Sequence, residues 1–149
     1  MPLTQPSQLA GNARIESVHN LPTLACRVRT ENAGTVWAFR TAPVIGLAVS
    51  ITNQLVVGPV EPAVERVLFL AKRLVQLNRP LQDTVAVGWW RDPSDRLFVD
   101  LNLVVDRLSD AACVAQVFHQ LAIARMTTGG AVVIDIDASD QTTKVGTHG

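Results

Sequence analysis

The stretch that most limits what this chain can become runs from Thr84 to Val105. In Thr84 to Trp90 (TVAVGWW), Val85, Val87 and Trp89 fall on one side, and Ala86, Gly88 and Trp90 on the other. Leu97 to Val105 (LFVDLNLVV) alternates again, with Leu97, Val99, Leu101, Leu103 and Val105 set against Phe98, Asp100, Asn102 and Val104. Between them, Arg91-Asp92-Pro93-Ser94-Asp95-Arg96 carries turn residues. Period-two patterning rich in β-branched residues predicts a half-buried antiparallel hairpin. A chain that contains one must cover its apolar face with another layer.

With the turn centred near Pro93, residues of equal parity share a face, so Trp90, Phe98, Asp100 and Asn102 stand together. One reading is a sheet face whose rings are covered by another element. The other is a recognition patch, because rigid rings supply contact area at low entropy cost.

After Asp106-Arg107-Leu108, Ser109 is a natural helix N-cap, Asp110 suits the first turn, and Ala111-Ala112 favour helix. Val114, Val117, Phe118 and Leu121 then fall on one helical face, with Gln116, His119 and Gln120 opposite. An end near Gln120 leaves Leu121 to Met126 as a strand, Thr127-Thr128-Gly129-Gly130 as a turn with the positive φ values a tight hairpin needs, and Ala131 to Ile136 as the partner strand. A helix continuing to Met126 is the alternative.

Gly88, Trp90, Asp92, Val99-Asp100-Leu101, Val104-Val105-Asp106, Ala111 and Gln120-Leu121-Ala122-Ile123 form a spaced pattern over about a third of the chain. In this it resembles a group of small α+β proteins of actinobacteria, their phages and related mobile elements, to which no activity is attached. That group usually continues with an aromatic and an acid where this chain has Ala124-Arg125. The resemblance implies a fold and a phage- or mobile-element context, and carries no site across.

Upstream, Met1 to Asn12 reads as an extended arm. Ala13 to Val18, Leu24 to Thr30 and Thr35 to Arg40 read as the strands of a meander. The second is separated from the first by His19-Asn20-Leu21-Pro22 and from the third by Glu31-Asn32-Ala33-Gly34. Strict alternation fails from Ala42 to Val57; a buried strand over Ile45 to Ile51, a turn at Asn53 and a short strand over Gln54 to Val57 fit best, ended by Gly58-Pro59. Val60 to Asn78 is the clearest helix, with Ala63, Val64, Val67, Leu68, Ala71, Leu74 and Val75 on a broad apolar face. Phe69 falls among its polar residues, as a chance exposure or an oligomer contact. Ala138 to Gly149 is a polar tail. The expected fold is α+β: a single domain over 13–137, with a mainly antiparallel sheet packed by two helices.

Thirteen basic and thirteen acidic residues give a formal net charge of zero, so no basic footprint draws the chain to nucleic acid. With 48% hydrophobic and only 17% charged residues, association with other copies or with a protein partner is expected. Cys26 and Cys113 are too few for a disulfide scaffold and lack metal-ligand spacing, which predicts two buried free thiols, with a single bridge between them as the alternative. No secretory pattern opens the sequence, and its longest apolar stretch, Ala42 to Ile51, is short of the roughly 20 residues a membrane span needs. A cytoplasmic location, no membrane and no cofactor are the corresponding expectations.

No phosphate-cradling glycine loop, nucleophile elbow or zinc-protease motif is present. Catalytic residues are therefore not assigned. Cys113 and His119, six apart, fall on different sides of their helix. Asp135 and Asp137 alternate along the last strand, but two carboxylates do not make a metal site. Three functional readings remain. The first is a non-enzymatic, self-associating protein-binding or structural module using Phe69, Trp90, Phe98, Asp100 and Asn102. The second is a small hydrolase-type enzyme using Asp100, Asp106 and His119. The third is a nucleic-acid binder using Arg27, Arg29 and Arg40 on one sheet face.

Overall fold

A computed structural model describes residues 15–120 and 122–136. The arm at 1–12 and the tail at 138–149 lie outside the described residues, as do Leu121 and Asp137. The fold is a single α+β domain: a curled, six-stranded, wholly antiparallel sheet with helices on one face. Its elements, in chain order, are α1 (Leu21–Thr30), β1 (Ala33–Trp37), β2 (Gly46–Ser50), α2 (Val60–Leu77), a 3₁₀ turn (Arg79–Asp83), β3 (Val85–Arg91), β4 (Leu97–Val105), α3 (Leu108–Val117), β5 (Ala122–Thr127) and β6 (Gly130–Asp135). Across the sheet the strands run β1-β3-β4-β2-β5-β6.

The β3–β4 hairpin lies near the middle of this order, in the register its alternation predicts: Trp90 opposes Phe98, Gly88 opposes Asp100, and Ala86 opposes Asn102. The Asp92 carboxylate closes its turn by accepting the backbone N–H groups of Ser94 and Arg96, both at 2.9 Å. Those bonds, with the Arg96 guanidinium beside it, hold the Asp92 carboxyl below its ordinary range. The odd-numbered side of the hairpin packs against α1 and α2. Val85, Val87, Trp89, Val99 and Leu101 share one cluster with Leu24 and Val28 of α1 and with Val64, Val67, Ala71 and Val75 of α2. Burying each such valine stabilises the fold by about 1.5–3 kcal/mol. A neighbouring cluster on the same face joins Leu47 and Val49 of β2 and Ile123 of β5 to Ala111 and Ala115 of α3.

Four expectations are corrected. Leu24 to Thr30 is helix, so three α-helices rather than two occur among the described residues. Asn20 caps α1, its side chain accepting from the Thr23 N–H at 3.2 Å, Pro22 sits in the first turn, and Arg91 reaches the carbonyl of Arg29 at the far end. The buried residues Leu24, Ala25 and Val28 follow helical spacing, and the apparent alternation with Cys26 is coincidental. Second, no strand is formed by residues 15–18, and Gln54–Val57 contributes a single bridge, Leu55 to Phe98, rather than a strand. Third, α3 starts at Leu108 with Arg107 as N-cap and no side-chain cap, so Ser109 lies inside it. It approaches the sheet through its alanines, which leaves Val117 and Phe118 exposed and Val114 half-buried. Fourth, both cysteines are exposed, Cys26 on α1 and Cys113 on α3. In the last hairpin Thr127 pairs with Gly130, and of the two glycines only Gly130 takes a positive φ.

Candidate functional site

The opposite sheet face has its own apolar cluster, Trp37, Val44, Ala48, Ala86 and Val104 with Ala124 and Met126 beside it, and no helical residue belongs to it. Toward one end of β3 and β4 that face changes character in rows. The outermost row is apolar: Ala33, Trp90 and Phe98 lie opposite one another on β1, β3 and β4, and the bridge adds Leu55. Trp90 and Phe98 stack with centroids 4.6 Å apart and planes 13° from parallel. Trp90 remains 42% exposed and Leu55 40%. Such a pair contributes about 0.5–1.5 kcal/mol beyond its buried area. The Arg96 guanidinium approaches the Phe98 ring at 6.0 Å.

On β4 the next two positions of that face are polar and buried. Asp100 is 2% exposed and Asn102 6%. After Ser50 the chain bulges through 51–53 before rejoining β4, where the Val99 N–H donates to the Gln54 carbonyl at 3.1 Å and the Val56 N–H to the Leu97 carbonyl at 2.8 Å. A bulge leaves ladder groups without backbone partners. Here side chains supply them. The Thr52 hydroxyl accepts the Leu101 N–H at 3.0 Å and donates to Asp100 at 3.3 Å, and the Asp100 carboxylate accepts the Gln54 N–H at 2.8 Å. The Ser50 hydroxyl donates to the Asn102 carbonyl oxygen at 2.9 Å and to the Asp100 carboxylate at 3.4 Å. Burial raises the Asp100 pKa, against the lowering effect of its donors. The Asn102 amide lies over Gly88 so closely that a Cβ there would collide with it.

Asp100 therefore ties the bulge to β4, one row from Trp90 and Phe98. The row beside it is a stacked aromatic surface, and Ser50, Thr52 and Leu55 are the neighbours of this site that periodicity did not reveal. One signal was present: alternation fails at the residues that form the bulge.

The structure brings Trp90, Phe98, Asp100 and Asn102 onto one face, but Phe69 elsewhere. It is 59% exposed on α2, on the helix-covered side, beside a shallow cleft of about 370 Å³ lined by Glu16, Leu21, Leu68 and Lys72. Asp100, Asp106 and His119 are not gathered. Asp106 lies just past β4, about 20 Å of extended strand from Asp100. His119 is exposed at φ +57° in the turn after α3. Neither that cleft nor a second one of about 480 Å³, beside Leu55 and Arg96, is lined by any of the three. The arginines share no sheet face, because Arg27 and Arg29 are on α1. Arg27 pairs with Glu31 at 2.7 Å, Arg29 with Glu61 at 2.6 Å, and Arg40 lies 4.1 Å over the Trp37 ring. His19 sits with Nε2 2.6 Å from the Trp37 carbonyl oxygen.

Among the described residues no group of three or more His, Cys, Asp or Glu could hold a metal ion, and no helix is long and apolar enough to cross a membrane. No family model, no curated protein and no solved structure matches the chain.

Proposed function

We propose that this protein is a non-enzymatic protein-binding module that works as an assembly of its own copies, with the Trp90–Phe98–Leu55 row as a contact surface. The observation that carries this reading is the stacked pair itself: two rings in the row next to a buried carboxylate, Trp90 open to solvent, on a face that no helix covers among the described residues. Interface hot spots favour rigid aromatic side chains of this kind, since little entropy is lost when they are covered. A formal net charge of zero removes the long-range repulsion that would keep copies apart. A phage or mobile-element origin belongs to the same proposal and rests on the pattern from Gly88 to Ile123.

Solution mass by light scattering over a concentration series tests it. The wild type forms a defined oligomer, and Trp90→Ala and Leu55→Glu each lower the mass or raise the concentration needed at least tenfold. A wild type that stays monomeric removes self-association from the reading. Variants that leave the oligomer intact remove the row.

A further inference from the structure

The two edges of the sheet are treated differently. At the end of β1, the Val18 N–H donates to the Ala38 carbonyl at 3.2 Å, and His19 lies against the outward carbonyl of Trp37. The preceding segment thus occupies part of that edge. At β6 no such cover occurs among the described residues. Its run Gly130-Ala131-Val132-Val133-Ile134 has no charge, proline or bulge, the devices that keep edge strands from pairing. Val132 and Val133 point to opposite faces and are 59% and 68% exposed.

Hairpin geometry shows which groups are open. In a two-residue hairpin the closing pair, here Thr127 and Gly130, exchanges its backbone hydrogen bonds. Gly130, Val132 and Ile134 therefore direct their N–H and C=O groups toward β5, and Ala131, Val133 and Asp135 direct theirs outward. We infer that this outer edge of β6 pairs with β6 of a second copy, antiparallel about a two-fold axis, joining two sheets into one.

The occupant follows from register and charge. A two-fold axis normal to the sheet keeps the faces of the two copies continuous, so residues of equal parity oppose one another. Centred on Val133, the pairing sets Val133 against its own equivalent and Ala131 against Asp135. All three outward residues then bond, and the one acidic residue of the strand meets an alanine rather than its own equivalent. A strand bearing a charge at its centre would repel its copy, and β6 does not. The inference rests on the self-association reading but uses a contact apart from the Trp90 row. A chain with both contacts builds assemblies larger than a dimer.

Val133→Pro tests it. It removes an outward N–H while leaving the donors of the β5–β6 ladder in place. The row variants are expected to leave a β6-joined dimer, Val133→Pro a row-joined dimer, and Val133→Pro with Trp90→Ala a monomer. Val133→Cys with Cys26→Ser and Cys113→Ser serves as a second, non-disruptive variant. A short bis-maleimide should link it into a covalent dimer at least tenfold faster than the same background carrying Thr128→Cys. Unchanged mass for Val133→Pro together with no preferential cross-linking overturns edge pairing while leaving the row reading standing. Loss of the oligomer only in the row variants does the same. A monomeric wild type overturns both.

Discussion

Asp100 shows how much one residue can do when the ladder around it is broken. Its carboxylate takes the N–H that the bulge would otherwise leave unpaired and receives the Thr52 and Ser50 hydroxyls. Because burial raises its pKa above the ordinary 3.8, the folded state binds its proton more tightly than the unfolded chain. Its contribution to stability is then complete below the unfolded value and is lost as pH rises through the folded one. Asp92, Glu31 and Glu61 are shifted the other way, so their contributions are present at neutral pH and fade on acidification. Comparing wild type with Asp100→Asn isolates the first effect. Urea unfolding from pH 4 to pH 8 should show the wild type losing stability relative to the variant as pH rises; a constant difference between the two would contradict the raised pKa. Parity alone placed Asp100 beside Trp90. Its burial and its donors were not legible, because they come from residues some fifty positions earlier.

At the scale of elements, those elements whose pattern and packing partner agree were legible. The α2 stripe, the β3–β4 hairpin and the Gly130 turn match their sequence patterns because each meets a single apolar layer or a fixed backbone demand. Elements with weaker local signals went astray. α1 is short, and its Leu24, Cys26 and Val28 mimic alternation although Cys26 is exposed. α3 buries alanines, so its larger apolar side chains pointed to the wrong face. β2 is central and buried on both sides, which erases alternation just before the bulge obscures it further. The bulge is the element whose integrity the row depends on. Thr52→Val keeps the shape but removes the acceptor for the Leu101 N–H and a donor to Asp100. It should cost about 1–3 kcal/mol in denaturant unfolding and increase the mobility of Trp90 in fluorescence anisotropy. A neutral result would mean that water or a shifted backbone satisfies both groups.

At the scale of the whole molecule, among the described residues three helices lie on one sheet face and a mixed polar and aromatic surface on the other, with one strand edge partly occupied and one uncovered. If copies join as inferred, folding and assembly are linked. The midpoint of thermal unfolding should then rise with protein concentration in the wild type, and not in the monomeric Val133→Pro, Trp90→Ala double variant; a concentration-independent midpoint in the wild type would argue for a self-sufficient monomer. The sequence by itself determined the α+β class, the central hairpin and its register, and the shared face of Trp90, Phe98, Asp100 and Asn102, since these follow from short periods and nearby turns. Only the tertiary structure decided that Phe69 lies on the other side of the sheet, that Asp100, Asp106 and His119 stay apart, and that Leu55 and Thr52 complete the row. Those relations depend on strand order and on a bulge, both set by contacts between distant segments, which no local pattern encodes.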